Sequence, residues 1–541
     1  MNLAGMASNN GRNLRNVAER EPGGAEFAVV LSNDPEAPVL DAMADRGVPT
    51  EVVAREDGES RRAHETRILD TLADYEFDLV CMDGYMRILT DTFLDAAPTT
   101  INVHPSLLPA FRGMDAHERV LESGVKTTGC TVHVATEEVD AGPIVTQEPV
   151  PVYDDDTEQD LKKRVLYTAE FVAYPRAVTL FAEDEVDVDR EAGTVAIEGD
   201  ERGGGDGVFP ARRVVSNDRQ RKLRYGENPH QDAAVYADRT CEEANVVDAP
   251  QRNAGAKGMS YNNYNDADAA LDVVREFEEP AAAVIKHTNP AGAAVADAIS
   301  EAYDAALATD PKSAFGGIVA LNRTCDEATA EAIVDSFNEV VVAPGYTEAG
   351  LETLAGTENL RVLDIGDLDA GGVRTAFEGD DPVESVVETH LTGGRLVQKR
   401  DRQHLDTTDL EVVTEREPTD DQIESMLFAW QTIKHVKSNA IVFARDTETV
   451  GIGMGQVSRV DAVRLAGMKA EKDAEGKSAE RAVMASDAFF PFPDGVEVAA
   501  EEGIEAVIQP GGSVNDEEVI EAADDLGVAM VTTGRRAFRH D

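Results

Sequence analysis

At 541 residues the chain is too long for one ordinary core, and at about 150 residues per domain it is expected to form three or four domains or two large ones. Hydrophobic residues make up 42%, enough to bury such cores, while 50 basic against 104 acidic side chains leave a formal charge of −54, which disfavours nucleic acid as a partner. Apolar stretches argue against disorder, so the acidity reads as adaptation to a salt-rich cytosol in which ions screen self-repulsion. Four cysteines, Cys81, Cys130, Cys241 and Cys325, form no CxxC pair, and no histidine cluster has metal-ligand spacing; neither a disulfide framework nor a structural metal is expected. The N-terminus lacks the basic and apolar regions of a signal peptide, and no apolar run approaches the ~20 residues of a membrane span. A cytoplasmic protein without a membrane partner is the expectation.

Along the chain, Ser8-Asn9-Asn10-Gly11-Arg12-Asn13-Leu14 follows a short apolar segment and precedes a helical stretch. Main-chain N–H groups at such a strand-to-helix turn make a phosphate cradle, although a plain helix cap explains the pattern as well. Apolar segments at Phe27–Leu31, Leu79–Met82 and Thr100–Val103 alternate with helix-like stretches at Ala63–Leu72 and Asp115–Ser123, which predicts a parallel-rich α/β sheet. Asn102-Val103-His104-Pro105-Ser106-Leu107-Leu108-Pro109 and Glu138-Val139-Asp140-Ala141-Gly142-Pro143 place an amide, an imidazole and a carboxylate on two loops. Such a trio can pass a formyl group from a folate to an amine: Asn102 and His104 would hold the oxyanion, and Asp140 would orient the imidazole and a relaying water. A capped turn is the bland alternative for Asn-x-His beside proline. Residues 186–213, acidic and containing Gly203-Gly204-Gly205-Asp206-Gly207, read as a flexible linker between domains 1–185 and 214–541. No internal repeat or low-complexity tract is visible. Gly451-Ile452-Gly453-Met454-Gly455 lacks the acidic partner of a dinucleotide loop.

The first 185 residues resemble glycinamide ribonucleotide formyltransferase. That resemblance implies a Rossmann-like domain in which Asn10, Gly11, Arg12 and Asn13 hold the substrate phosphate and Glu170, in Ala169-Glu170-Phe171-Val172-Ala173-Tyr174-Pro175, contacts the substrate amine. It also implies that Met86, Arg87, Ile88 and Leu89 line the folate pocket with His133 nearby, while His117 is structural. Asn9 and Arg12 depart from the family turn. Methionyl-tRNA formyltransferase shares the Asn-x-His-Pro-Ser-Leu-Leu-Pro core and is the competing reading, but it needs a basic surface for tRNA.

The second half carries Leu223-Arg224-Tyr225-Gly226-Glu227-Asn228-Pro229-His230, Val284-Ile285-Lys286-His287-Thr288-Asn289-Pro290 and Lys312-Ser313-Ala314-Phe315-Gly316-Gly317. Lys437-Ser438-Asn439-Ala440, Gly455-Gln456-Val457-Ser458-Arg459, Ser486-Asp487-Ala488-Phe489-Phe490-Pro491-Phe492 and Arg536-Ala537-Phe538 follow. These segments look like the transformylase domain of the bifunctional purine enzyme that formylates aminoimidazole carboxamide ribonucleotide. The resemblance implies a larger α/β domain with cytidine-deaminase-like subdomains. A weakly nucleophilic acceptor amine needs a base and an acid positioned around it. His287 would be the base, and Lys286 would stabilise the oxyanion or protonate the departing folate nitrogen. Adjacent at a strand end, the two would ordinarily point to opposite faces. By the same resemblance Arg224, Tyr225, Gly316, Asn439, Arg459 and Arg536 bind the substrate, Glu339 and Phe489 line the site, and Asp494 lies nearer the folate.

Taken together, the sequence predicts a fused enzyme with two formyl transfers of purine biosynthesis. Small ribonucleotides and 10-formyltetrahydrofolate, or a modified pterin, are the ligands; no metal serves the chemistry. A homodimer through the second domain and a separate IMP cyclohydrolase in the pathway are further expectations. A folate- or nucleotide-binding regulator is the non-enzymatic alternative.

Overall fold

The computed structural model describes residues 1–189, 192–198, 209–253, 257–368 and 386–540. The chain divides into two compact units, Met1–Arg213 and Val214–Asp541. The glycine-rich stretch 203–207 lies outside the described residues, but the start of the expected linker is structured. Its strands β8 (Val186–Asp189) and β9 (Thr194–Ile197) pair as an antiparallel hairpin, and each turns alternate side chains inward.

The first unit is built on a seven-stranded sheet. Its strands are β1 (Asn2–Met6), β2 (Glu26–Ser32), β3 (Thr50–Val52), β4 (Leu79–Met82), β5 (Thr100–His104), β6 (Thr127–Val134) and β7 (Ile144–Pro151), in the order β3-β2-β1-β4-β5-β6-β7. The first five run parallel; β6 and β7 close one edge antiparallel. Central strands such as Leu79-Val80-Cys81-Met82 are apolar throughout because helices cover both faces. Strand order reverses between β1 and β4, which opens a crevice beyond their carboxyl ends. The predicted helices form at Arg61–Leu72, capped by Ser60 Oγ, and at Ala116–Ser123.

In the second unit eleven strands make one sheet. Two small hairpins stand apart from it: β10 (Asn217–Lys222) with β11 (Ala234–Asp238), and β17 (Val386–Leu391) with β18 (Gly394–Lys399). The large sheet contains β12 (Ala281–Lys286), β13 (Asn289–Val295), β14 (Gly317–Leu321), β15 (Asn338–Ala343), β16 (Arg361–Asp364), β19 (Glu411–Val412), β20 (Ile441–Arg445), β21 (Glu448–Gly453), β22 (Val483–Ser486), β23 (Ala506–Gln509) and β24 (Ala529–Thr532). Their order is β16-β15-β14-β12-β13-β21-β20-β22-β23-β24-β19.

That order holds a repeat which the sequence concealed. In each half a helix (Tyr261–Val274 or Asp420–Ile433) precedes a tight hairpin, and helices then alternate with three parallel strands. The halves meet where β13 and β21 pair antiparallel. Pairing demands only apolar side chains at alternate positions, so the two copies share a pattern without sharing residues. Side chains such as Ala283, Ile285, Val442 and Ala444 on one face enter a core common to both halves. On the other face, Ala282 and Val284 belong to a separate core from Ile441 and Phe443.

Candidate active sites

In the first unit Asn102 and His104 end β5, and His133 faces Asn102 from β6. Asp140, in left-handed conformation at φ 51°, reaches both imidazoles: Oδ2 lies 3.1 Å from His104 Nδ1 and Oδ1 lies 3.5 Å from His133 Nε2. Gly113 N–H donates to Asp140 Oδ2 at 2.8 Å, and Asn102 Nδ2 is 3.3 Å from His133 Nε2. Burial alone would raise the Asp140 carboxyl, but the His133 bond, the Gly113 N–H and the two imidazoles outweigh it and hold it below the usual range. For His104 burial wins: it lowers the imidazole against the pull of Asp140 and the Phe111 carbonyl. The second ring nitrogen is already engaged, since His104 Nε2 lies 2.9 Å from Phe111 O. Holding an oxyanion there requires His104 to exchange that carbonyl for the ligand. His117 is half-buried, with its Nδ1 enclosed and unpartnered among the described residues, and burial pulls its pKa down to about 4.

The glycine of the expected phosphate turn has a reason. Gly11 caps the Arg12–Arg20 helix at φ 51°, and a Cβ there would meet Val39 Cγ2 at 2.3 Å. The cradle is narrower than the sequence implied, because the chain supplies its own anion. Asp83, directly after β4, accepts from Asn13 N at 2.7 Å and from Asn13 Nδ2 at 3.3 Å. Asn13 Nδ2 also donates to Glu170 Oε2 at 2.7 Å. Glu170 ends a six-residue π-helical segment, Val165–Glu170, that leads into the Phe171–Ala182 helix. Burial, with the Asp83 charge beside it, pushes the Glu170 carboxyl up to about 7 against the Asn13 hydrogen bond. Asp83 escaped the sequence reading, although an acidic residue ending an all-apolar strand was the available signal. Met86 and Ile88 stand exposed, as does Arg87, whereas Leu89 is buried. Met86 N–H donates to Ser8 Oγ at 2.9 Å, which ties this segment to the turn.

The second unit gathers its candidates along one edge of the large sheet. Strands β12, β21 and β22 end there, and β13, β14, β15, β16 and β20 begin there. Lys286 closes β12, but His287 is not on the strand. His287 and Thr288 are the two central residues of the β12–β13 turn, at φ 53° and 62°. The turn therefore decides where His287 points. Asp266 accepts from Thr288 N at 2.7 Å, and burial raises that carboxyl.

Two clusters form on this edge. Lys286 Nζ donates to Gly316 O at 2.7 Å, and a Cβ on Gly316 (φ 71°) would lie 3.2 Å from that ammonium. Next to it Glu339 Oε2 accepts from Asn263 Nδ2 at 2.9 Å and lies 3.7 Å from Arg361 Nη1. Burial lowers the Arg361 guanidinium, and the Arg224 charge adds to the effect. Arg224 itself lies 5.5 Å from the Tyr225 ring centre. In the other cluster Arg459 donates to Ser486 Oγ at 2.8 Å, to Asn439 Oδ1 at 2.7 Å and to the fully buried Asp487. Asn439, Arg459, Phe489, Asp494 and Arg536 line one cavity of about 460 Å³, with Arg536 lying 5.3 Å from the Phe489 ring centre. Lys286 and His287 border a separate cavity of about 260 Å³ with Asp310, Ser313 and Lys469. Cations of this edge are matched by acids of the chain itself: Arg361 faces Glu339, Arg459 faces Asp487 and Lys469 faces Asp310. Gly451–Gly453 lie within β21 and its end, so the glycines serve close helix packing: a Cβ on Gly453 would meet Ala462 O at 1.9 Å.

Residues 196–469, just over half of the chain, match the family described as AICARFT/IMPCHase bienzyme. The chain belongs to that family. Residues 1–178 match the family described as formyl transferase. The bifunctional purine biosynthesis proteins PurH of Magnetococcus marinus and Rhodopirellula baltica are 49% and 48% identical over 341 residues. The match covers 62% of this chain and 62% of each relative, so the chain spans less than two thirds of their length. A solved glycinamide ribonucleotide transformylase 1 from Symbiobacterium toebii is 38% identical, covering 36% of this chain and 93% of its own, with a TM-score of 0.35. Among the described residues no helix is long and apolar enough to cross a membrane, and no acidic, histidine and cysteine side chains cluster to hold a metal.

Proposed function

We propose that the chain performs two formyl transfers of purine biosynthesis, both from 10-formyltetrahydrofolate. The first unit would formylate glycinamide ribonucleotide and the second aminoimidazole carboxamide ribonucleotide. The observation that carries the reading is Asp140 held between His104 and His133 beside Asn102, within the segment matching the formyl transferase family. When an amine attacks the formyl carbon, charge develops on the formyl oxygen; Asn102 Nδ2 would meet it, joined by His104 Nε2 once that nitrogen exchanges the Phe111 carbonyl for it. Asp140 fixes the ring through Nδ1 and stabilises the imidazolium. Exposed Met86 and Ile88 offer apolar surface to a flat pterin ring.

In the second unit Lys286 Nζ is anchored on Gly316 O, ready to meet the formyl oxygen or the leaving nitrogen. His287, exposed on its turn, takes the proton of the attacking amine. Arg459 and Arg536 supply charge for the phosphate. A homodimer through this unit, a cytoplasmic setting and a separate cyclohydrolase complete the reading. The test is an assay of the purified protein with each ribonucleotide and 10-formyltetrahydrofolate. Formylation of both amines is expected, and failure with either removes that half of the proposal. The second product should accumulate as the open formamido ribonucleotide; inosine monophosphate made by the pure protein would contradict the separate cyclohydrolase.

A further inference from the structure

Between the carboxyl ends of β1 and β4, Asn13 is pinned from two sides. It is 1% exposed, its main-chain and side-chain N–H groups go to Asp83, and its second side-chain hydrogen goes to Glu170. This uses every donor of the residue and leaves Asn13 Oδ1 buried without a hydrogen-bond partner among the described residues. A buried acceptor left unpaired costs about 1–3 kcal/mol, which is recovered when a donor arrives. Two carboxylates and one orphan carbonyl converge here, so the donor that fits is a cationic amine. We propose that Asp83 is a positioning residue of the first site: by holding Asn13, it fixes Glu170 and Asn13 Oδ1 as the paired acceptors of the substrate's ammonium group. The inference rests on glycinamide ribonucleotide being the substrate of this unit.

The electrostatics follow from the same geometry. Burial raises both carboxyls, and the Asp83 charge adds to the effect on Glu170, which titrates at about 7. The charged and titratable groups around the pair are Arg12 on the Arg12–Arg20 helix, Cys130 on β6 and Tyr174 on the Phe171–Ala182 helix. Arg12 is exposed and offsets part of the repulsion. When an ammonium group enters, its charge replaces the proton on Glu170, which leaves to solvent. Before attack, an N–H proton of the ammonium passes to the Glu170 carboxylate, and the freed lone pair on nitrogen attacks the formyl carbon; a second N–H proton then passes to the folate nitrogen as its bond to that carbon breaks, which leaves the formamide and free tetrahydrofolate.

Calorimetric titration of the full chain with glycinamide ribonucleotide, in buffers of different ionisation enthalpy, reads this proton directly. The parent should release protons on binding near neutral pH. Asp83→Asn keeps an oxygen for Asn13 N–H but removes the charge, so its release should be smaller there and peak at lower pH. Glu170→Gln should release none from this group, and Asp83→Ala should bind roughly tenfold more weakly, as a pinning hydrogen bond worth about 1.4 kcal/mol is lost. Circular dichroism and retained transfer at the second site certify the fold of each variant. Asp83→Asn with the parent's affinity and the parent's proton release overturns the role of Asp83 while leaving the substrate intact. A parent that does not bind glycinamide ribonucleotide overturns the substrate and this inference with it.

Discussion

His104 and Lys286 sit in different compact units, so their losses should be separable. His104→Ala or Asp140→Asn should lower transfer to glycinamide ribonucleotide by roughly 10²–10⁴-fold and spare the second activity; Lys286→Ala or His287→Ala should do the reverse. Loss of both activities in a folded variant would contradict two independent sites. Glu170 adds a pH dependence whose sign is fixed. Its folded-state carboxyl, at about 7, holds a proton more tightly than the unfolded chain at 4.5. The associated stabilisation is full below the unfolded value and is lost as pH rises through about 7, an effect of roughly 2 kcal/mol after allowance for partial exposure. Glu170→Gln should therefore raise the melting temperature of the first unit at mildly alkaline pH and leave it nearly unchanged in acid, as read by calorimetry. At this scale the sequence made a cluster legible, because an amide, an imidazole and a carboxylate stand in two short segments, and the structure brings His104 and Asp140 together with Asn102 beside His133. The sequence did not announce Asp83, whose importance comes from a β1–β4 crevice that exists only once the sheet is assembled.

The β12–β13 hairpin shows an element whose local chemistry opposes its conformation. Two-residue turns with both central residues left-handed favour Asn-Gly, and His287-Thr288 has neither. Each such residue costs about 1–2 kcal/mol, and the matching β20–β21 turn has the same conformation at Asp446 and Thr447, φ 53° and 61°, so the strain belongs to the repeated hairpin. Thr288→Gly should stabilise the second unit by about 1 kcal/mol in denaturant unfolding while transfer to aminoimidazole carboxamide ribonucleotide changes little. A destabilised Thr288→Gly would show that the turn is not strained. Gly316→Ala makes the converse case: the new methyl meets Lys286 Nζ in a backbone conformation that alanine resists, so activity should fall at least tenfold with about 1 kcal/mol of stability. Strand positions were readable from apolar runs such as Phe27–Leu31, Leu79–Met82 and Thr100–Val103, which fall within β2, β4 and β5. The turn was not readable, because Lys-His-Thr-Asn lacks the residues by which such turns are recognised.

For the molecule as a whole, −54 charges must be accommodated. Removing salt lengthens the screening distance from about 3 Å at 1 M to about 30 Å at 0.01 M, so repulsion among surface carboxylates then acts across much of each unit. The melting temperature should rise steeply between low and molar KCl, and a flat response would refute salt adaptation. The repeat in the eleven-stranded sheet, invisible in the residues, tempts one to regard the second unit as two separable pieces. The cores say otherwise: on one face each half has its own, but on the other Phe277 stacks on Phe428 at 5.3 Å within a single apolar layer running beneath both. Cutting the chain between the halves would strip that layer to water on both fragments. A pattern that could be drawn twice is thus one cooperative object, and neither fragment should fold without the other.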